Sequence, residues 1–150
     1  MRRTLEREME VELPRDEVFE FFADAFNLQK ITPPDVRFRV LTPAPIELRK
    51  GMRIDYRLTV FRVAFHWRTV FTLWEPPVRF VDEQECGPYR RWVHSHEFSD
   101  LGGVTLVRDR VRYELPWLPL GELAHPMVRR KLEHIFDFRQ AKIQRLLSRA

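Results

Sequence analysis

With 150 residues, 44% apolar and 13% aromatic, the chain has the length and composition of one globular domain with a real core, residues 1–150, and not of a disordered or fibrous protein. No apolar run approaches the roughly 18 residues that a membrane span needs, and charged residues stand where a signal peptide would need an apolar stretch. Both features predict a cytoplasmic protein without stable membrane insertion, and the single Cys86 fits a reducing compartment. The net charge of +4 raises the question of nucleic acid, but basic and acidic residues are interleaved and no Lys/Arg tract occurs, so nucleic acid is not an expected partner.

Leu5 to Leu13 alternates, with Leu5, Met9, Val11 and Leu13 on one side and Glu6, Glu8, Glu10 and Glu12 on the other, which predicts a half-buried strand with an acidic outer face. Pro14 opens a helix reaching Ala23, with Val18, Phe21 and Phe22 as its packing side. A second helical piece, Phe26 to Lys30, ends before Ile31-Thr32-Pro33-Pro34.

Six further strands follow: Arg37 to Leu41, Met52 to Phe61, Phe65 to Trp74, Arg79 to Cys86, Arg91 to Ser99 and Val104 to Leu115. Their separators are short, among them Arg62-Val63-Ala64, Glu75-Pro76-Pro77, Gly87-Pro88-Tyr89 and Asp100-Leu101-Gly102-Gly103, so consecutive strands should pair as an antiparallel meander. Inward parity falls on Met52, Ile54, Tyr56, Leu58 and Val60, then on Phe65, Trp67, Thr69, Phe71 and Leu73, and in the last strand on Thr105, Val107, Asp109, Val111 and Tyr113. The outward Arg108, Arg110 and Arg112 match the glutamate row of the first strand if the two strands are neighbours.

A helical turn from Leu120 to Ala124 leads to the one long amphipathic helix, Pro126 to Arg149. Val128, Leu132, Ile135, Phe136, Ile143 and Leu146 form its stripe. At 1.5 Å per residue it would be about 35 Å long, a length suited to the open face of a curved sheet. Arg139 interrupts the stripe and so points at whatever the helix covers.

A tight Gly102-Gly103 turn would set Phe98 opposite Thr105 and His94 opposite Asp109, and the Gly87-Pro88 turn would set Asp82 beside His94 and Gln84 beside Trp92. Phe71 then falls next to Asp82. The inner face thus gathers Asp82, Gln84, His94, His96 and Asp109 among aromatics, an arrangement that is costly unless paired or wet. Arg139 is placed to compensate their charge. Bulky aromatics around a curved sheet favour a cavity over a solid core. Its mouths would be the loop of Pro43, Pro45 and Gly51 and the loop after Trp74.

The order of elements, with Phe19-Glu20-Phe21-Phe22-Ala23-Asp24 leading to Asn27-Leu28, Ile31-Thr32-Pro33-Pro34, Glu75-Pro76-Pro77-Val78-Arg79-Phe80-Val81-Asp82, Gly87-Pro88-Tyr89 and Trp92-Val93-His94-Ser95-His96-Glu97-Phe98, resembles the ligand-binding SRPBCC superfamily over essentially the whole chain. That superfamily includes START-like lipid-transfer domains, plant pathogenesis-related allergens and polyketide cyclase/dehydrase-like proteins. The resemblance implies an α+β helix-grip (START/Bet v 1-like) fold, in which seven curved antiparallel strands grip the C-terminal helix around a hydrophobic cavity. It also implies either carriage of a small hydrophobic molecule or a cyclase/dehydratase reaction.

Three functions follow as expectations. The first is a binding or carrier protein for a lipid-, aromatic- or polyketide-like molecule, its cavity lined by Tyr56, Trp67, Phe71 and Trp92, with Asp82, Gln84, His94, His96, Asp109 and Arg139 at the polar end. The second is a cyclase or dehydratase in which His94, with Asp109 or Asp82, moves protons. The third is a module that docks to another protein. His94 also reads as a member of a satisfied internal network, and His94, His96 and Asp109 as a weak metal signal, while Arg139 reads as a ligand clamp or as a neutralising partner of the aspartates. No cofactor or resident metal is expected. Nor does a nucleophile motif, phosphate-cradling loop or dinucleotide fingerprint occur.

Overall fold

The computed structural model describes residues 1–117 and 120–148. Strand β1 (Arg3–Val11) is followed by α1 (Arg15–Ala23), α2 (Asn27–Lys30) and a 3-10 turn (Pro34–Val36). Then come β2 (Arg39–Val40), β3 (Arg53–Val60), β4 (Val63–Glu75), β5 (Arg79–Cys86), β6 (Arg91–Asp100) and β7 (Thr105–Glu114). A short α3 (Leu120–Leu123) precedes α4 (His125–Leu146). The end expected for this helix at Arg149 lies outside the described residues.

The strands form one antiparallel sheet in the order β1-β7-β6-β5-β4-β3-β2. Consecutive hairpins build the meander, and the first strand closes against the last. Glu6 therefore stands opposite Arg110 and Glu8 opposite Arg108, with Nε to Oε1 distances of 2.9 and 3.1 Å. The arginine row engages the glutamate row, as its parity predicts. These pairs are exposed and each contributes at most about 1 kcal/mol.

Four local departures have physical causes. The strand expected over Arg37 to Leu41 shrinks to two residues because Arg37 ends the 3-10 turn in left-handed geometry (φ 49°). The loop expected at Arg62-Val63-Ala64 is instead a two-residue turn: Phe61 and Arg62 both take positive φ, so that Val60 pairs with Val63 and β4 begins early. In β4 the register slips at Thr72, with Phe71 opposite Asp82 but Leu73 opposite Val81. That extra residue exchanges the faces, so Trp74 rather than Leu73 points inward and meets Phe19 and Phe80 at 5.3 and 5.2 Å between ring centroids. On α1, Phe19 joins Val18 as a fully packed residue, while Phe21 and Phe22 are only half-buried.

The inner stripe of α4 is Leu132, Phe136, Arg139 and Ile143, all buried, at spacings of four, three and four. Leu146, expected in the stripe, is exposed, since the helix runs out there. Polar side chains on one flank of α4 bond the otherwise unpaired edge of β1. Arg129 donates to Thr4 O (2.9 Å), Gln140 to Glu8 O (3.0 Å) and Gln144 to Glu10 O (2.6 Å). Arg7 reaches Asp137 at 3.2 Å. This protects the sheet edge and ties the helix to the β1 side, so the gap beneath it opens towards β3, β4 and β5.

Candidate functional site

That gap is a cavity of about 660 Å³. Its aromatic wall holds Tyr56, Trp67, Phe71 and Trp92, as expected, together with Tyr89 and Phe80. The α4 stripe forms the roof through Val128, Leu132, Ile135, Phe136 and Arg139, and α1 and α2 add Phe21, Phe22 and Leu28. Trp67 and Trp92 meet edge to face (5.2 Å), with Tyr89 4.9 Å from Trp92. Of the two loops expected at the mouth, the first contributes Leu48, but the turn after Trp74 does not line the cavity. The Gly87-Pro88-Tyr89 turn, Phe61 and the largely exposed Trp117 border it instead.

Cross-strand pairing brings the polar residues together on the floor. Asp82 stands opposite His94 across β5 and β6, and Asp109 opposite His96 across β6 and β7. His96 is stacked between His94 (3.7 Å) and Phe80 (4.0 Å). Its Nε2 lies 2.6 Å from Asp82 Oδ2, and its Nδ1 makes an ion-pair contact of 3.4 Å with Asp109 Oδ1. The same Oδ1 is 2.8 Å from His94 Nε2 and 3.7 Å from Arg139 Nη2. The guanidinium of Arg139 sits 5.6 Å from each of the Phe22 and Phe136 ring centres.

The four titratable groups resolve each other's charge. Burial opposes ionisation of Asp109, but the Arg139 charge, the hydrogen bond of His94 and the close contact with His96 prevail, and the carboxyl stays well below its usual range. For Asp82 burial is likewise outweighed, by the His96 hydrogen bond and the charges of His96 and Arg139. Burial also opposes a charge on His96, yet its contacts with Asp109 and Asp82 raise it above the ordinary histidine value. His94 goes the other way: burial and then the charge on His96 push it down to about 4 despite Asp109. Two carboxylates are thus balanced by one imidazolium and one guanidinium, and His94 is neutral.

The tautomer of His94 follows. An ionised Asp109 only accepts, so His94 Nε2 carries the proton and donates it. Nδ1 keeps a lone pair. The ring forms part of the cavity wall. His94 therefore presents a neutral base or hydrogen-bond acceptor to whatever enters.

Eight of the ten residues expected at the site line the cavity: Tyr56, Trp67, Phe71, Asp82, Trp92, His94, His96 and Arg139. Asp109 lies one layer behind, where it orients His94 and His96. Gln84 is turned away from Trp92. Its amide donates to Tyr89 O (2.6 Å) and accepts from Tyr89 N (3.0 Å), closing the turn over Gly87, where a Cβ would come within 2.4 Å of Gln84 Oε1. Donor atoms of Asp82, His94 and His96 lie within 4.8 Å of one another, a spacing that would admit a divalent ion. Such an ion would have to break the Asp82–His96 hydrogen bond and share the floor with the Arg139 charge.

The sequence matches the family described as "Polyketide cyclase / dehydrase and lipid transport" over residues 11–138. The chain belongs to this family. It is accordingly a member of the SRPBCC superfamily, and its helix-grip fold is that of solved relatives. The protein TTHA0849 from Thermus thermophilus is similar at a TM-score of 0.74 and 18% identity, covering 95% of each chain. A START superfamily protein from Mycobacterium smegmatis gives 0.68 and 14%, covering 95% of this chain and 98% of that one. The major latex-like protein 151 of Panax ginseng gives 0.67 and 13%, covering 98% of each. None of the curated proteins matches the sequence.

Within this polyketide cyclase/dehydrase and lipid transport family member, the wall residues missed by sequence reading are those whose exposure depends on the turn and helix geometry. Tyr89 is visible in the sequence only as part of a turn, and Phe136 only as part of the helix stripe. Phe22 carries a signal, since it lies on the expected packing side of its helix, but its place beside Arg139 depends on where α1 crosses the sheet. No helix among the described residues is long and apolar enough to cross a membrane.

Proposed function

We propose that this protein binds and carries a small hydrophobic molecule, aromatic, polyketide-like or lipid-like, in the cavity beneath α4, with the molecule's polar end at His94 and Asp82. The single observation that supports this reading is the aromatic-walled hollow of about 660 Å³ with one cluster of polar groups on its floor. The volume falls within the roughly 300–1,000 Å³ typical of small-molecule sites, and few convergent polar groups are what such sites need for orientation. Native mass spectrometry of freshly purified protein tests it, because a retained compound identifies the chemistry directly. Thermal shifts with a panel of hydrophobic molecules complete the test, since a ligand at 100 times its Kd adds about 2.7 kcal/mol of stability. Neither a retained compound nor any shift would sink the reading in favour of a protein-docking module.

A second reading is favoured by one observation, the neutral imidazole of His94 backed by Asp109 at 2.8 Å. That pair suits a general base for a cyclase or dehydratase reaction. Under it, His94→Ala leaves substrate affinity within a fewfold but abolishes turnover. Under the carrier reading, Trp92→Ala weakens binding and there is no turnover to lose.

A further inference from the structure

We propose that Cys86 is a modification site outside the cavity: a thiol on the outer face of the sheet that His66 deprotonates and that exchanges with small disulfides of the glutathione type to form a mixed disulfide. The site is independent of what the cavity carries.

By simple alternation Cys86 would follow Asp82 and Gln84 onto the inner face. Thr69 pairs with Gln84, however, and the preceding Arg68 pairs with Cys86, so Glu85 is an extra residue in β5. This bulge re-aims Cys86 to the outer face. There it joins side chains of β3 and β4, where Asp55 stands opposite Arg68 and His66 lies two residues from Arg68 on the same side. Cys86 Sγ is 3.9 Å from His66 Nδ1, His66 Nε2 is 2.8 Å from Asp55 Oδ1, and Arg68 Nε donates to that same oxygen at 2.9 Å. Cys86 and His66 are both exposed, so a reagent reaches them from solvent.

Burial opposes ionisation of Asp55, but the hydrogen bonds of Arg68 and His66 hold its carboxyl below the usual range. An ionised Asp55 only accepts, so His66 donates Nε2–H to it and the neutral ring turns its Nδ1 lone pair to the thiol. Nucleophile, base and orienting group thus stand in sequence. Arg68, opposite Cys86, adds a positive charge beside the thiolate that forms, and the neighbouring Glu85 carboxylate is engaged by Arg53 at 2.7 Å. Arg53, Asp55, His66 and Arg68 also border a shallow hollow of about 400 Å³. That hollow suits the organic arm of a disulfide, which a peroxide lacks.

In the exchange, Cys86 Sγ–H passes its proton to His66 Nδ1, the thiolate attacks one sulfur of the disulfide, and the old S–S bond breaks as the new one forms. The departing thiolate takes the proton back from His66. One thiol and one disulfide enter and one of each leaves, so no other oxidant is required. Cys86 is the single cysteine of the sequence, so no thiol of the same chain resolves the adduct, which persists until an external thiol attacks it.

Intact-mass spectrometry of the purified protein incubated with glutathione disulfide at neutral pH tests this. One adduct per chain is expected, reversed by dithiothreitol and absent from Cys86→Ser. In His66→Ala the rate should fall about tenfold, and added imidazole should restore part of it, a rescue that a merely structural role would not give. Should that variant fold poorly, the unaltered protein answers the same question: the folded chain should react faster than the chain unfolded in urea, where the three side chains are apart. An unmodified Cys86, a rate unchanged in His66→Ala and insensitive to imidazole, or a folded chain no faster than the unfolded one overturns the proposal. Hydrogen peroxide converting Cys86 to its sulfinic acid faster than glutathione disulfide forms the adduct would overturn the assignment of the disulfide as its reagent.

Discussion

His94 Nε2 lies 2.8 Å from Asp109 Oδ1, although the two residues do not face each other in the sheet: Asp109 stands opposite His96, and His94 opposite Val111. The contact is a diagonal one on the inner face. It lets a single carboxylate oxygen serve both stacked imidazoles and the Arg139 guanidinium. Because His96 also reaches Asp82, the second proton goes to His96 and His94 is left neutral.

This asymmetry predicts a definite NMR signature. At neutral pH, ¹⁵N shifts of the His94 ring should be those of a neutral imidazole protonated at Nε2, and those of His96 should be those of an imidazolium. The reverse assignment, or two neutral rings, would remove the basis for treating His94 as the acceptor at the cavity floor.

Stability should depend on pH through the same pair. His94 titrates near 4 in the folded protein and near 6.5 when unfolded, so between those values the unfolded chain binds the extra proton. Its contribution is complete above pH 6.5 and is lost as pH falls towards 4, with a magnitude on the order of 3 kcal/mol. His96 is raised and acts oppositely, stabilising below its unfolded value and losing that contribution as pH rises through its folded value. The depressed Asp82 and Asp109 add losses only below the ordinary aspartate range. Urea unfolding across this range should therefore show a maximum near neutrality, and His94→Phe should flatten the arm from pH 4 to 6.5. An unchanged slope in the variant would place the proton uptake elsewhere.

Most of the inner faces were readable from sequence because strand parity tracks burial, and at the β6–β7 hairpin the error in register preserved parity. The β6–β7 turn is expected to be tight, whereas the ladder stops at Asp100–Thr105 and a four-residue loop, Leu101 to Val104, closes with Leu101 N donating to Val104 O at 2.8 Å. The register therefore moves by two residues along β7, an even number, and Asp109 stays inside while changing its opposite neighbour from His94 to His96. Arg139 was legible because a lone cation in an apolar stripe has one direction to point. The Thr72 slip in β4 was not, since neither glycine nor proline marks it. Gln84 was misdirected for a related reason: alternation puts it inside, but its amide fits the backbone of the turn at Tyr89 better than it fits an aromatic wall.

The slip at Thr72 can be tested by comparing adjacent residues. Trp74 packs edge-on against Phe19 and Phe71 and tilted against Phe80, whereas Leu73 lies on the opposite face. Trp74→Ala should cost about 3 kcal/mol in chemical denaturation and Leu73→Ala about 1 kcal/mol or less. The simple alternation of the sequence predicts the opposite ranking, so equal or inverted losses would restore Leu73 to the inner face.

Arg139 gives the last prediction, because its two readings differ in what its removal leaves behind. As a neutralising partner it balances Asp109, whose carboxylate is buried with His94 and His96 against the same oxygen. Arg139→Leu keeps the apolar stem between Phe22 and Phe136 but leaves that charge short of a cation, a change expected to cost about 3 kcal/mol. Adding Asp109→Asn removes the uncompensated charge and should recover much of the loss, so the double variant is more stable than the sum of the two single changes allows. A ligand clamp behaves differently: Arg139→Leu would then leave the empty protein nearly as stable as before and lower only ligand affinity, and Asp109→Asn would rescue nothing. Urea denaturation of the two single variants and the double variant, with and without a bound hydrophobic compound, separates these outcomes.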